Sequence, residues 1–96
     1  MTRSELTDNI IRAHKDLVVQ DIELAVKNIL EQLSDTLAQG DRIEIRGFGS
    51  FALHHRPARA GRNPKTGTVV AVEERYTPRF RAGRLLRDRI NGQITD

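Results

Sequence analysis

The sequence predicts an α+β fold, and three observations carry that expectation. Two stretches with apolar residues at helical spacing fill the first 40 residues, the spacing changes to two after Gly40, and a long basic segment without large apolar side chains interrupts the period-two stretch. At 96 residues and 10.9 kDa the chain is expected to be one domain spanning 1–96.

A T-x-x-E capping box at Thr2 and Glu5 starts the first helix. Leu6, Ile10, Ala13 and Leu17 share one of its faces. It is expected to end near His14, with Asp16 capping the next helix. That second helix, about Val18 to Gln39, places Val18, Ile22, Ala25, Val26, Ile29, Leu30, Leu33 and Leu37 in an arc of roughly 140°. Glu23, Lys27, Asn28, Glu31, Gln32 and Asp35 fill the other side, where Leu24 is an outlier, and Gly40 stops the helix.

Arg42, Glu44 and Arg46 then alternate with Ile43 and Ile45 as in a half-exposed strand. Gly47-Phe48-Gly49 reads as a tight turn, and Ser50 to His55 as a strand with Phe51 and Leu53 on one face. From His54 to Thr68 the chain holds four basic residues, no acidic one, and no apolar side chain beyond alanine and proline, so it cannot bury itself against a core. Asn63-Pro64 with Gly67 is turn chemistry, and Val69, Val70 and Val72 restart a strand that Tyr76, Pro78 and Phe80 continue on one face. The expected product is a ribbon folded back at Asn63-Pro64. At strand rise it reaches roughly 30 Å, comparable to the rest of the molecule, so it projects as an arm. A short helix over 83–91 ends the fold, with Leu85, Leu86 and Ile90 on its apolar side and Asn91-Gly92 as its stop.

Without the arm roughly 75–80 residues remain, below the size at which one core is comfortably stable. The apolar stripe of the second helix and three Phe residues need cover, which points to a dimer with two arms; the alternative is an ordinary monomer with a floppy loop.

Charge is polarised. Residues 1–50 carry six basic and nine acidic side chains and residues 51–96 carry ten and four, within an overall +3; thirteen of the sixteen basic residues are Arg. That pattern points to an anionic polymer as partner. No disulfide or thiolate chemistry is available without cysteine, and His14, His54 and His55 are badly spaced for a metal cage. As strand neighbours His54 and His55 point to opposite faces, which suits a solvated or phosphate-contacting role better than shared metal ligation. Ser4, Ser34 and Ser50 lie outside any G-x-S-x-G elbow, and Gly61 to Gly67 has the wrong spacing for a phosphate loop. The expectation is a non-enzyme without cofactor, metal, membrane span or small-molecule substrate, soluble and intracellular.

On the arm, Arg56, Arg59, Arg62 and Lys65 flank small residues, a ribbon thin enough to lie in a DNA groove. Pro64 at the tip has two readings. One is a turn proline that sets φ; the other is a rigid apolar wedge that enters between base pairs.

GFGSF (Gly47 to Phe51) and GRNPKTG (Gly61 to Gly67) resemble the bacterial HU/integration host factor family, and RIEIRGFGSF (Arg42 to Phe51) is most similar to its β type. The resemblance extends from the TRSEL opening to the AGRLLRDR helix. It implies an intertwined dimer with a helical body (1–40), a β-sheet saddle (41–55 and 69–81) and a protruding two-stranded arm (56–68). The partner chain would be an α-type sister subunit or a second copy. Implied too is an architectural protein of the bacterial nucleoid that binds the minor groove of double-stranded DNA and bends it sharply. Such proteins serve recombination, replication, transcription, translation control and nucleoid organisation. Carried over, Pro64 is the intercalating residue, with Arg62, Asn63 and Lys65 beside it and Arg59 an arm phosphate or groove contact. Arg42, Glu44 and Arg46 match body positions near the minor groove that set sequence preference. Glu44 either orients an arginine and excludes wrong sequences or is a solvent-facing strand residue. Ser4, Gly83 and Arg84 match phosphate clamps at helix N-termini. Two departures stand out: Pro57 is one place from its usual β-type position, and the last helix carries Arg where relatives often carry Lys.

Overall fold

Thr2 opens α1 (Arg3–Ala13) with the expected box: its hydroxyl accepts from the Glu5 N–H at 3.1 Å and donates to the Glu5 carboxylate at 3.2 Å. These distances come from a computed structural model that describes residues 1–94, so the last two residues of the NGQITD tail lie outside it. The His14 N–H returns to the Ile10 and Ile11 carbonyls and closes α1. A bond from the Leu17 N–H to the His14 carbonyl (3.1 Å) then puts Lys15 and Asp16 inside a turn. The second helix, α2 (Val19–Ala38), starts on the Val18 carbonyl, which accepts from Asp21 and Ile22. Asp16 is therefore a turn residue and not the cap of α2, a place equally suited to its short acceptor side chain.

Ile22 and Val26, 5% and 6% exposed, are the only apolar side chains buried among the described residues. The rest of the α2 stripe is half-buried or open, with Ile29 60% exposed. At the helix end the Asp41 N–H reaches the Thr36 carbonyl (3.1 Å) and the Gly40 N–H the Leu37 carbonyl (3.0 Å). This Schellman closure needs the left-handed φ of +88° at Gly40.

The chain divides into two compact units, Met1–Asp35 and Thr36–Asp96. The second contains β1 (Ile43–Ile45), β2 (Gly49–Arg56), β3 (Arg59–Arg62), β4 (Val69–Val72), β5 (Arg75–Ala82) and α3 (Arg84–Ile94). One antiparallel sheet has the order β1-β2-β5, and a two-stranded sheet pairs β3 with β4. Val69–Val72 thus pairs with β3 and is not part of the three-stranded sheet. Pro57 lacks an N–H and breaks the ladder, so Pro57-Ala58 face Glu73-Glu74 unpaired while Arg59↔Val72 resumes the register left at Arg56↔Arg75. Because two residues drop out on each strand, the ribbon is interrupted without slipping.

Phe51 lies directly across from Phe80 with ring centroids 4.8 Å apart, and Phe48 meets the same ring at 5.2 Å. Gly49 makes this possible by having no Cβ, since one would stand 2.6 Å from the Phe80 ring. Gly49 is therefore not part of the turn the sequence predicts. The turn is Ile45 to Phe48, closed by a 3.0 Å bond from the Phe48 N–H to the Ile45 carbonyl, and Gly49 is the first residue of β2. Arg46 sits inside that turn and not on β1. The last helix also outruns its expected stop, continuing through Asn91-Gly92 to Ile94; a single glycine near a helix end costs only about 1 kcal/mol.

Candidate nucleic-acid interface

The pairing of β2 with β5 sorts their residues into two faces. Phe51, Leu53 and His55 stand across from Phe80, Pro78 and Tyr76 on one. Ser50, Ala52, His54 and Arg56 stand across from Arg81, Arg79, Thr77 and Arg75 on the other. The second face therefore carries four arginines and no carboxylate from these two strands. β1 extends it, since Glu44 pairs with Ser50. Arg42 lies two residues from Glu44 on the same strand side, and its guanidinium meets the Glu44 carboxylate at 3.4 Å. Both groups are well exposed, so the contact contributes little to stability but does hold Arg42 toward Glu44.

Arg42, Glu44 and Arg46 come together with Arg81, Gly83 and Arg84 around one open groove of about 760 Å³. The Gly83 N–H donates to the Phe48 carbonyl at 2.9 Å and ties the β1–β2 turn to the start of α3. The Gly83 carbonyl accepts from Arg87, and Arg84 pairs with Asp88 one turn on. The α3 N-terminus and the arginines around it suit a phosphate. Ser4 is not part of this assembly. It lies in the first turn of α1, in the other compact unit, beside Thr7 and Asp8.

Along the arm Arg59 and Arg62 are three residues apart on β3 and so leave its two faces, while Arg56 ends β2 just before the Pro57 break. At the tip, the Asn63 N–H donates to the Thr68 carbonyl (2.8 Å) and the Gly67 N–H to the Asn63 carbonyl (2.7 Å). The Asn63 side chain accepts from the Lys65 N–H at 2.9 Å, which locks Pro64 between two fixed peptides. Gly67 supplies the left-handed φ of +72° that turns the chain back. Pro64 and Lys65 are exposed at the apex of this closed turn.

His54 sits half-buried on the arginine face. The positive charge of Arg79 beside it, then partial burial, Arg56 and His55, hold its imidazole below the ordinary pKa. His55 faces away, its Nε2 3.1 Å from the Glu74 carboxylate and its ring tilted against Tyr76 with centroids 4.9 Å apart.

Arg75, Arg79 and Arg81 are the residues that sequence reasoning missed. The signal was present as R-Y-T-P-R-F-R: its apolar half identified a strand, and the same alternation puts three arginines on the opposite side.

A family model described as bacterial DNA-binding protein matches residues 1–91. Integration host factor subunit beta of Alkalilimnicola ehrlichii is 60% identical over 91 residues, covering 95% of this chain and 91% of that one. Its counterpart in Pseudomonas entomophila is 58% identical with 95% and 93% covered. Among solved structures, an Anabaena HU–DNA cocrystal superposes with a TM-score of 0.82 at 31% identity, over 94% of this chain and 97% of that one. An HU variant from Thermotoga maritima superposes with 0.67 at 26% identity, over 94% and 99%.

Proposed function

The chain belongs to the bacterial DNA-binding protein family, and from that premise we propose that it is an architectural subunit of the integration host factor beta kind. It binds the minor groove of double-stranded DNA and bends it, and it has no catalytic turnover. The observation that carries this reading is the β2–β5 face, where Arg56, Arg75, Arg79 and Arg81 stand on one side of a ribbon whose far end is a hydrogen-bonded turn offering Pro64. Arg lines a minor groove well because the negative potential is strongest where the groove is narrow.

Binding proceeds on a dimer. Ile45, Phe48, Phe80, Leu85 and Ile90 remain exposed in the second unit, and Leu17, Val18, Val19 and Ile29 in the first, surface that a lone chain of this size leaves open to water. The partner is an α-type subunit or a second copy. No helix of the described residues is long and apolar enough to cross a membrane. Membership of the DNA-binding family supports the nucleoid as its place of action. Arg59, Arg62 and Lys65 hold the groove beside the tip, Asn63 sets the tip, and Ser4, Gly83 and Arg84 clamp phosphates outside it.

The test is a duplex carrying a fluorophore at each end. Energy transfer is expected to rise on binding, and log affinity to fall against log salt with a slope of about −0.9 for each phosphate neutralised. Binding without a rise in transfer would leave a DNA binder that does not bend.

Arg46 and Glu44 supply sequence preference through the groove beside the β1–β2 turn. Substituting Arg46 by Ala is expected to reduce discrimination between a preferred and a random duplex by about tenfold, with affinity for the random duplex changed by less than about threefold. Competition binding measures both. An equal loss on the two duplexes would make Arg46 a plain phosphate contact.

A further inference from the structure

His54 is the one titratable imidazole on the arginine face, and its surroundings are lopsided in charge. Across the ladder it faces Thr77, with Arg79 and Arg75 on either side of that residue on β5. On its own strand Arg56 follows on the same face, and His55 turns to the other face and to Glu74. From β1 the nearest carboxylate is Glu44, which pairs with Ser50 four residues back along β2. Glu73 lies in the ladder break beyond Arg75. Among the described residues no carboxylate acts on the ring, while the guanidiniums of Arg79 and Arg56 do.

We propose that His54 is a phosphate-binding group that takes up a proton when DNA engages this face, so that duplex affinity of this protein rises on acidification. The inference rests on the DNA-binding reading above. The free protein disfavours the imidazolium because Arg79, partial burial and Arg56 all oppose a further positive charge, keeping His54 below its ordinary 6.5. A phosphate laid across the same arginines reverses that field. It neutralises them and gives the N–H a charge-assisted acceptor, so the ring's pKa rises in the complex. The sign follows from linkage. Above both pKa values the ring is neutral in either state and pH has no effect through it. As pH falls through the bound pKa toward the free one, binding takes up a proton and tightens. Below the free pKa the gain is complete.

Duplex affinity is measured by fluorescence anisotropy between pH 5 and pH 8 at constant ionic strength, on the full chain with its partner. Wild-type affinity is expected to rise through the window with a limiting slope of about tenfold per pH unit for each His54. His54→Gln removes this dependence. His54→Arg, permanently charged, keeps the tighter affinity at pH 8, and His55→Gln leaves the response in place. The His54 ring resonance, followed by NMR, gives a higher pKa with duplex present than without. A pH response that survives in H54Q, or a ring pKa that duplex does not move, overturns the proposal while leaving DNA binding intact. Absence of duplex binding at every pH overturns the DNA-binding reading and this proposal with it.

Discussion

Replacing Pro64 by Ala is expected to return end-to-end energy transfer in a bound, doubly labelled duplex most of the way to that of free DNA, while affinity falls by no more than about tenfold. The turn that presents Pro64 survives the change. Its bonds run between Asn63, Lys65, Gly67 and Thr68, and proline contributes no N–H to any of them. Alanine accepts the same φ, so the main loss within the arm is the entropy that proline removed from the unfolded chain, about 0.4–1 kcal/mol. What disappears is the ring itself, an apolar plate at the apex. Unstacking a base step costs a few kcal/mol and is offset only when something fills the gap and the bent duplex gains contact elsewhere. Without the plate, straight DNA is favoured, and the arginines of the ribbon still hold it. An unchanged transfer efficiency in P64A would leave Pro64 as a turn residue and move the cause of bending to the charged face.

The Pro64 turn was legible in the sequence, and other parts of the molecule were not. Local signals read directly. The Thr2–Glu5 box, Gly40 after α2 and the Asn63–Gly67 turn each depend on a few adjacent residues whose chemistry admits one conformation. Long-range pairing was not legible. Val69–Val72 could extend either sheet by its composition, and the Pro57 break with its matched gap at Glu73-Glu74 leaves it paired with β3 alone. Glycine was ambiguous for a physical reason, since two close together served different ends: Gly47 takes a φ of +81° and Gly49 admits a neighbouring ring. Arg46 left the strand as a consequence. On the candidate site, the arm cations and tip were visible as a run without acids. Arg75, Arg79 and Arg81 were hidden by the apolar residues between them, because only register shows which side of a strand joins a neighbour's basic side. Asp16 lies in a turn and not at a cap because a short acceptor serves either place.

Gly49 carries the second large effect, this time on stability. A methyl group there would stand 2.5 Å from the Arg81 carbonyl oxygen and 2.6 and 2.7 Å from two carbons of the Phe80 ring. Neither neighbour has room to retreat. The carbonyl belongs to β5 in the ladder that pairs Gly49 with Ala82 and Ser50 with Arg81, and the ring is held between Phe48 and Phe51. Gly49→Ala is therefore expected to destabilise the protein by about 2–4 kcal/mol, within the range for overpacking together with a displaced strand. For a domain of this size that is a fall in Tm of roughly 10–20 °C. Chain concentration must be held constant, since a dimer's Tm depends on it. The comparison that isolates the cause is Gly92→Ala. Gly92 lies within α3 with nothing within 4 Å of an added Cβ, so the same chemical change there removes only glycine's entropic penalty and is expected to leave Tm unchanged or raise it slightly. Were G49A to melt within a few degrees of wild type, the contact between Gly49 and Phe80 would not be what sets the turn against the sheet. The groove formed by Arg42, Arg46 and Arg84 would then need another support. If instead G49A melts low but binds DNA normally once folded in the cold, the glycine's role ends at packing, and the arginines above it act independently of how tightly the ring beneath them fits.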